Sequence, residues 1–191
     1  PSREKLPIGS VKGAGMPDIG AGGSKIVFAG RARDEDKKTD LFLMNVDGTN
    51  ITNLTQSEED RENFPALSPD GTMIAYASDR DGWLDETIDQ KSMDIFVAKV
   101  SDKGEMSPSI QVTHTPGQEG HVRFSSDGDW LIYTSGVGDV NDEYPVLSSL
   151  IFSPQLYGEI WLYRISDGKH VRLTHNKWED GAPYWVPALH Q

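Results

Sequence analysis

Three stretches of this chain repeat one phrase. Residues 16–28, MPDIGAGGSKIVF, align without a gap with residues 64–76, FPALSPDGTMIAY, and again with residues 121–133, HVRFSSDGDWLIY. Self-similarity at a spacing of this order is the signature of a radial or stacked architecture, because a unit of that size cannot bury its apolar face alone and must lay it against a neighbouring copy.

Each copy reads as strand, turn, strand. In the tetrads Ser68-Pro69-Asp70-Gly71 and Ser125-Ser126-Asp127-Gly128 the Pro presets φ, the Asp bonds its own backbone, and the Gly takes the positive φ that ends a tight turn. A third strand follows at 40–46, 94–100 and 159–165, with alternating apolar and aromatic residues. A short fourth strand ends in Leu54-Thr55, Val112-Thr113 and Leu173-Thr174. Four antiparallel strands per unit, recurring in one order, predict an all-β propeller with blades at about 16–56, 64–114 and 121–175. A β-sandwich is the alternative, but it has no need of a repeated four-strand phrase.

Composition narrows the partners. The 30 acidic against 18 basic residues leave a net charge of −12, which repels nucleic acid and anionic membrane surfaces. There is no cysteine, hence no disulfide and no thiolate chemistry. The longest apolar run, LSSLIF at 147–152, falls far short of the roughly 20 residues that span a bilayer as a helix.

Three blades do not close a ring, since propellers are built of about four to eight. Residues 182–186 match the first strand of a further blade, and an unpaired strand of this kind needs a partner edge. Two arrangements supply one: further blades of a longer ring, or two chains joined head to tail as a six-bladed dimer. Residues 1–15, rich in glycine and without periodicity, read as a flexible arm or linker before the propeller segment 16–191.

The turns within each blade are short at one end and long at the other. Inserts at 31–39, 79–92 and 136–158 gather on one face, which makes that face the expected binding surface. Glu62, Glu119 and Asp180 occupy matched positions on it, where the first copy has Ala14; they hold a cation, receive a Lys or Arg of a partner, or bond loop amides. His121 opens the third inner strand. Trp83, Tyr144, Tyr157 and Trp178 lie in or beside the long loops as candidate aromatic anchors, while Trp130, Trp161 and Trp185 fall in strand patterns and are expected in the core. Gln56, His114 and His175 follow the fourth strands in matched positions and are weak candidates for a transition metal. Asp139, Asn141, Asp142 and Glu143 are weak candidates for calcium, without the full loop that a dedicated calcium site uses. No cofactor is otherwise indicated.

The segments FPALSPDGTMIAYASDRDG, DIFV and QVTH, and above all GHVRFSSDG, PQLYGEI and RLTHNKWEDGAPYW within 120–187, resemble the repeat of TolB-like propellers. That resemblance implies a six-bladed ring, a periplasmic or otherwise extracytoplasmic location, and a non-catalytic role as a scaffold or accessory subunit that binds a protein near the channel mouth. Oligogalacturonate lyases have a related propeller with a His-rich metal site, which makes a metal-dependent polysaccharide lyase or sugar binder the alternative; Arg61, Arg80 and Arg123 are the cations it would use on an acidic sugar. No Gly-x-Ser-x-Gly, His-Glu-x-x-His or phosphate loop is present.

Overall fold

A computed structural model describes residues 7–86, 89–137, 158–175 and 180–186. Its strands run β1 (Lys12–Gly20), β2 (Lys25–Arg31), β3 (Asp40–Asn45), β4 (Thr52–Asn53), β5 (Glu62–Leu67), β6 (Met73–Ser78), β7 (Leu84–Asp85), β8 (Gln90–Lys91), β9 (Asp94–Lys99), β10 (Ile110–Gln111), β11 (Glu119–Phe124), β12 (Trp130–Ser135), β13 (Glu159–Arg164) and β14 (His170–Arg172). They form three four-stranded antiparallel sheets, β1-β2-β3-β4, β5-β6-β9-β10 and β11-β12-β13-β14, and one two-stranded hairpin, β7-β8. These sheets are the three blades expected from the repeats, and the inner strands β1, β5 and β11 lie side by side.

The tetrads make the turns that their residues call for. Gly71 and Gly128 have φ of 75° and 76°; Ser68 and Ser125 each receive the glycine N–H on their carbonyl, and Asp70 and Asp127 accept from the Ser hydroxyls. The inner strands share one irregularity that the alignment had lined up unseen. Register shifts interrupt each at the same place, between Gly15 and Asp18, Asn63 and Ala66, and Gly120 and Arg123. The residue just after each shift's start, Met16, Phe64 or His121, takes a left-handed φ near 50°, the conformation found in one type of β-bulge.

Ala182 takes the same φ of 50°, and Asp180 enters as its counterparts do. The N–H of Glu62 donates to Thr39, that of Glu119 to Met93, and that of Asp180 to Gly158, each acceptor directly preceding a third strand. Residues 180–186 therefore start a fourth copy of the blade entrance, although no ladder forms there among the described residues.

The core is made of contacts between blades. Val27, Leu41, Leu43 and Leu54 of blade 1 pack against Leu67, Ile74, Tyr76 and Phe96 of blade 2. Ala75, Ile95, Val97 and Val112 from the other face of blade 2 pack against Phe124, Leu131 and Tyr133 of blade 3. Trp161 joins this second cluster, as its strand pattern predicts, whereas Trp130 is half-buried beneath the Arg164 guanidinium, 4.3 Å from its ring.

The expectation of a free arm over 1–15 needs correcting for its described part. Strand β1 begins at Lys12, and Val11 and Ile8 pack on Ile26, Phe28, Phe42 and Met44, the remaining face of blade 1. The physical reason is that this sheet face is apolar and would otherwise stand in water. A second copy joining head to tail would first have to displace these residues. At the opposite end, β13 is only half-buried beyond Glu159, whereas β3 and β9 are buried over five residues.

Candidate interaction site on the loop face

Antiparallel pairing brings the starts of the first and third strands, the ends of the second strands, and the long inserts to one end of the sheets. Here Glu62 pairs in register with Ser78 and Glu119 with Ser135, and Ser78 and Ser135 lie opposite Asp94 and Glu159. The matched acids therefore do gather at this end, with their strands starting at Glu62 and Glu119 themselves. They are not, however, surface groups: Glu62 and Glu119 are fully buried.

A second acidic series, not singled out in the sequence, accompanies them. Asp40, Asp94 and Glu159 open the third strands and are buried in turn. Each is held by the threonine that ends its blade. Thr113 Oγ1 accepts the Ile95 N–H and donates to Asp94 Oδ1; Thr55 does the same for Leu41 and Asp40, and Thr174 for Ile160 and Glu159. The recurrent Leu-Thr and Val-Thr endings thus act as clamps that fasten the outer strand to the third. Recurrence of an acid at strand position one, followed by a Thr after the fourth strand, is the signal from which this series could have been found.

The histidines and the amide at the next position are exposed. Gln56 bonds back to Asn53, and His114 Nδ1 meets the Gln111 amide at 3.1 Å. Among the described residues no three His, Asp or Glu side chains converge in a way that could hold a metal ion, so the structure does not bring His114 and His175 into such a cluster. Asp139, Asn141, Asp142 and Glu143 lie outside the described residues, as do Tyr144, Tyr157 and Trp178.

His121 sits at the bulge of the inner strand, its ring 4.4 Å from that of Phe64. Burial, with a smaller contribution from Arg123, pushes its pKa down, and its Nδ1 is buried without a hydrogen-bond partner. Farther along the same strands, Asp18 of blade 1 and Arg123 of blade 3 form an ion pair at 3.8 Å. They line a cavity of about 360 Å³ at the tight-turn end, together with Leu67, Phe124, Tyr184 and Trp185. The other two arginines are also engaged internally. Arg61 pairs with Asp79 at 3.5 Å, and Arg80 reaches Glu62 at 3.4 Å while lying over the Phe96 ring at 4.8 Å.

What the loop face does present is the β7-β8 hairpin of the second insert. Trp83 and Leu84 are each 55% exposed, and the His114 ring lies 6.1 Å from that of Trp83. Exposure here does not mean looseness. The Trp83 N–H donates to Ser92 Oγ, its carbonyl accepts the Ser92 N–H, and Lys91 Nζ donates to the Arg80 carbonyl. Gly82 is packed so closely beneath that a Cβ there would stand 1.9 Å from the Ser92 carbonyl oxygen. Asp81, Glu86 and Asp89 of the same insert are exposed acids, and Lys91 is an exposed cation.

No known family profile matches the chain, and no curated protein matches it in sequence. Solved structures do match in fold. A putative TolB from Agrobacterium tumefaciens superposes with a TM-score of 0.65 at 19% identity, over 94% of this chain and 53% of that one. TolB from Acinetobacter baumannii gives 0.55 at 15% identity, over 87% of this chain and 34% of that one. A puromycin hydrolase gives 0.56 at 16% identity, over 94% of this chain and 26% of that one. The chain spans about half the length of the first of these proteins and less of the others. Its fold is that of a TolB-like propeller segment, an architecture that it shares with proteins named TolB and with a puromycin hydrolase.

Proposed function

Taking the TolB-like propeller segment as the frame, we propose that this chain is a non-catalytic, extracytoplasmic interaction module which docks another protein on its loop face. The observation that carries this reading is the Trp83-Leu84 pair, held out of the fold by a hairpin that the Ser92 bonds and the Gly82 contact keep rigid. A large aromatic presented on a fixed loop loses little entropy on burial and is the usual kind of energetic anchor at protein interfaces. The acids and arginines that a lyase-like reaction would draw on are committed to contacts inside the fold: at this end Glu62 and Glu119 are buried and Arg61 and Arg80 face Asp79 and Glu62, while Arg123 faces Asp18 at the tight-turn end.

The exposed acids of the same insert favour a partner surface that is apolar at its centre and basic at its rim. A photo-crosslinking residue placed at Gln90 on the hairpin, and in a second sample at Asp127 on the tight-turn face, tests the reading. Specific capture of one protein from the hairpin position, lost on Trp83→Ala, is the expected result. Equal capture from both faces, or capture indifferent to Trp83→Ala, would sink it.

A further inference from the structure

The buried acids at the loop end meet in pairs across the blade junctions. The Glu119 N–H donates to the Met93 carbonyl at 2.9 Å and so sets the first residue of β11 beside Asp94, the first residue of β9. Neither side chain reaches solvent. Asp94 Oδ1 accepts from Thr113 Oγ1 and the Thr115 N–H, and its Oδ2 from the Gln111 amide. Glu119 Oε1 accepts from Thr115 Oγ1 and Ser135 Oγ, both at 2.7 Å. Glu119 Oε2 is buried with no donor, while the Glu119 and Asp94 carboxyls stand in hydrogen-bonding contact with each other. An acceptor facing an acceptor becomes a hydrogen bond only when one of them carries a proton. Among the described residues neither member of this pair makes an ion pair.

The junction before it also holds two acids, but there Glu62 Oε1 faces Arg80 at 3.4 Å. The Glu62 N–H donates to the Thr39 carbonyl, which places Glu62 close enough to Asp40 for their charges to oppose each other, and Glu62 Oε2 is again buried without a donor. The groups facing this pair are Arg80 at 3.4 Å, Asp60, and the Tyr76 hydroxyl bonded to Arg80; Asp79 lies beside it, neutralised by Lys38 and Arg61. Facing the second pair are His114, whose charge acts on Asp94, and the Tyr133 hydroxyl, which feels Glu119.

We propose that the junction of blades 2 and 3 is closed by a carboxyl pair sharing one proton, Asp94 with Glu119, so that docking of blade 3 on blade 2 weakens as the medium turns from acid to mildly alkaline. The idea does not depend on the docking reading above. Burial first, then the neighbouring carboxylate, pushes Glu119 up to about 7; burial, then Asp40 and Asp60 against the opposing pull of Arg80, pushes Glu62 up to about 8. In an opened junction both revert toward the ordinary value of 4.5. The closed junction therefore binds a proton that the open one has lost, and its stability declines from pH 4.5 upward until the closed-state pKa is passed. With Arg80 present, the first junction retains a compensating charge at high pH; the second has none within ion-pair distance.

The test compares the wild-type chain with Glu119→Gln and Asp94→Asn, whose amides supply a permanent donor where the proton stood. Hydrogen exchange is followed at the Glu119 and Gly136 amides from pH 5 to pH 8, corrected for the intrinsic rate. In the wild type the opening equilibrium rises by up to about tenfold per pH unit and then levels; in either variant it is flat. Equal pH slopes in wild type and variants overturn the proposal. Infrared difference spectra of the wild type alone cover the case in which a variant does not fold: a protonated-carboxyl stretch present at pH 6 and gone at pH 9 is expected, and its absence at pH 6 overturns the proposal as well.

Discussion

Thr113 and Asp94 face each other across the edge of blade 2: the threonine hydroxyl donates to the aspartate at 3.0 Å and accepts the Ile95 N–H at 2.8 Å. One hydroxyl thus satisfies a buried carboxylate and a buried amide, and it is placed there by the short outer strand that ends just before it. Replacing it by the isosteric Val leaves the Ile95 N–H without its acceptor and takes one of three donors from Asp94, whose Thr115 and Gln111 bonds remain. Thr113→Val is expected to cost about 1–3 kcal/mol, read as a lowered urea midpoint, whereas Thr113→Ser retains most of the stability.

Leu54 and Leu173 hold the same repeat position, immediately before the clamp threonine, yet Leu54 is 8% exposed between blades 1 and 2 while Leu173 is 49% exposed on blade 3. Leu54→Ala should destabilise by about 2–4 kcal/mol through lost burial and a cavity. Leu173→Ala should change stability by less than about 1 kcal/mol. Thermal unfolding of the two variants side by side checks this, and equal losses would mean that blade 3 is covered on that face in solution.

Asp18 does two things where Arg123 does one. Its Oδ2 accepts the Leu67 N–H at 3.0 Å and its Oδ1 faces Arg123, with burial holding its pKa above the usual carboxylate value despite both. Asp18→Ala strands an amide of blade 2 and leaves Arg123 without its counter-ion, so a loss of about 1–2 kcal/mol is expected. Arg123→Ala leaves the amide bond in place and should cost less. Chemical denaturation of both variants gives the order, and the reverse order would show that the ion pair between blades 1 and 3 contributes more than the amide contact between blades 1 and 2.

Gly82→Ala tests the rigidity of the exposed anchor. A methyl group 1.9 Å from the Ser92 carbonyl oxygen cannot be accommodated without moving backbone, so the hairpin must lift. The expected outcome is faster limited proteolysis within 79–92 and a thermal midpoint close to wild type, since few core residues depend on the loop. Loss of the whole fold would show that the hairpin is a structural brace.

Much of the architecture was legible in the chain itself. The Ser-Pro-Asp-Gly turn needs only its own four residues to take shape, and the short apolar runs KIVFAG and MIAYAS, bounded by turn residues, need only the neighbouring positions, so the strands and their hairpins were readable from local chemistry. The third strands at Asp40, Asp94 and Glu159 begin where the pattern put them. The bulges at Met16, Phe64 and His121 were hidden, because left-handed φ in residues of such different kinds carries no compositional mark.

The site divided in the same way. Trp83 could be named from sequence as an aromatic in a long insert, and it is exposed there. That Glu62 and Glu119 are buried, each against the acid that opens the preceding blade's third strand, could not be read, because an acid in a repeat looks alike whether it faces water or a neighbouring blade. Sequence by itself determined the repeat, the turns and the four strands of each blade, since these depend on residues close along the chain. Only the tertiary structure decided which charges lie between blades and which apolar faces are covered, because burial and pairing there arise from contacts between strands that the chain brings together from far apart.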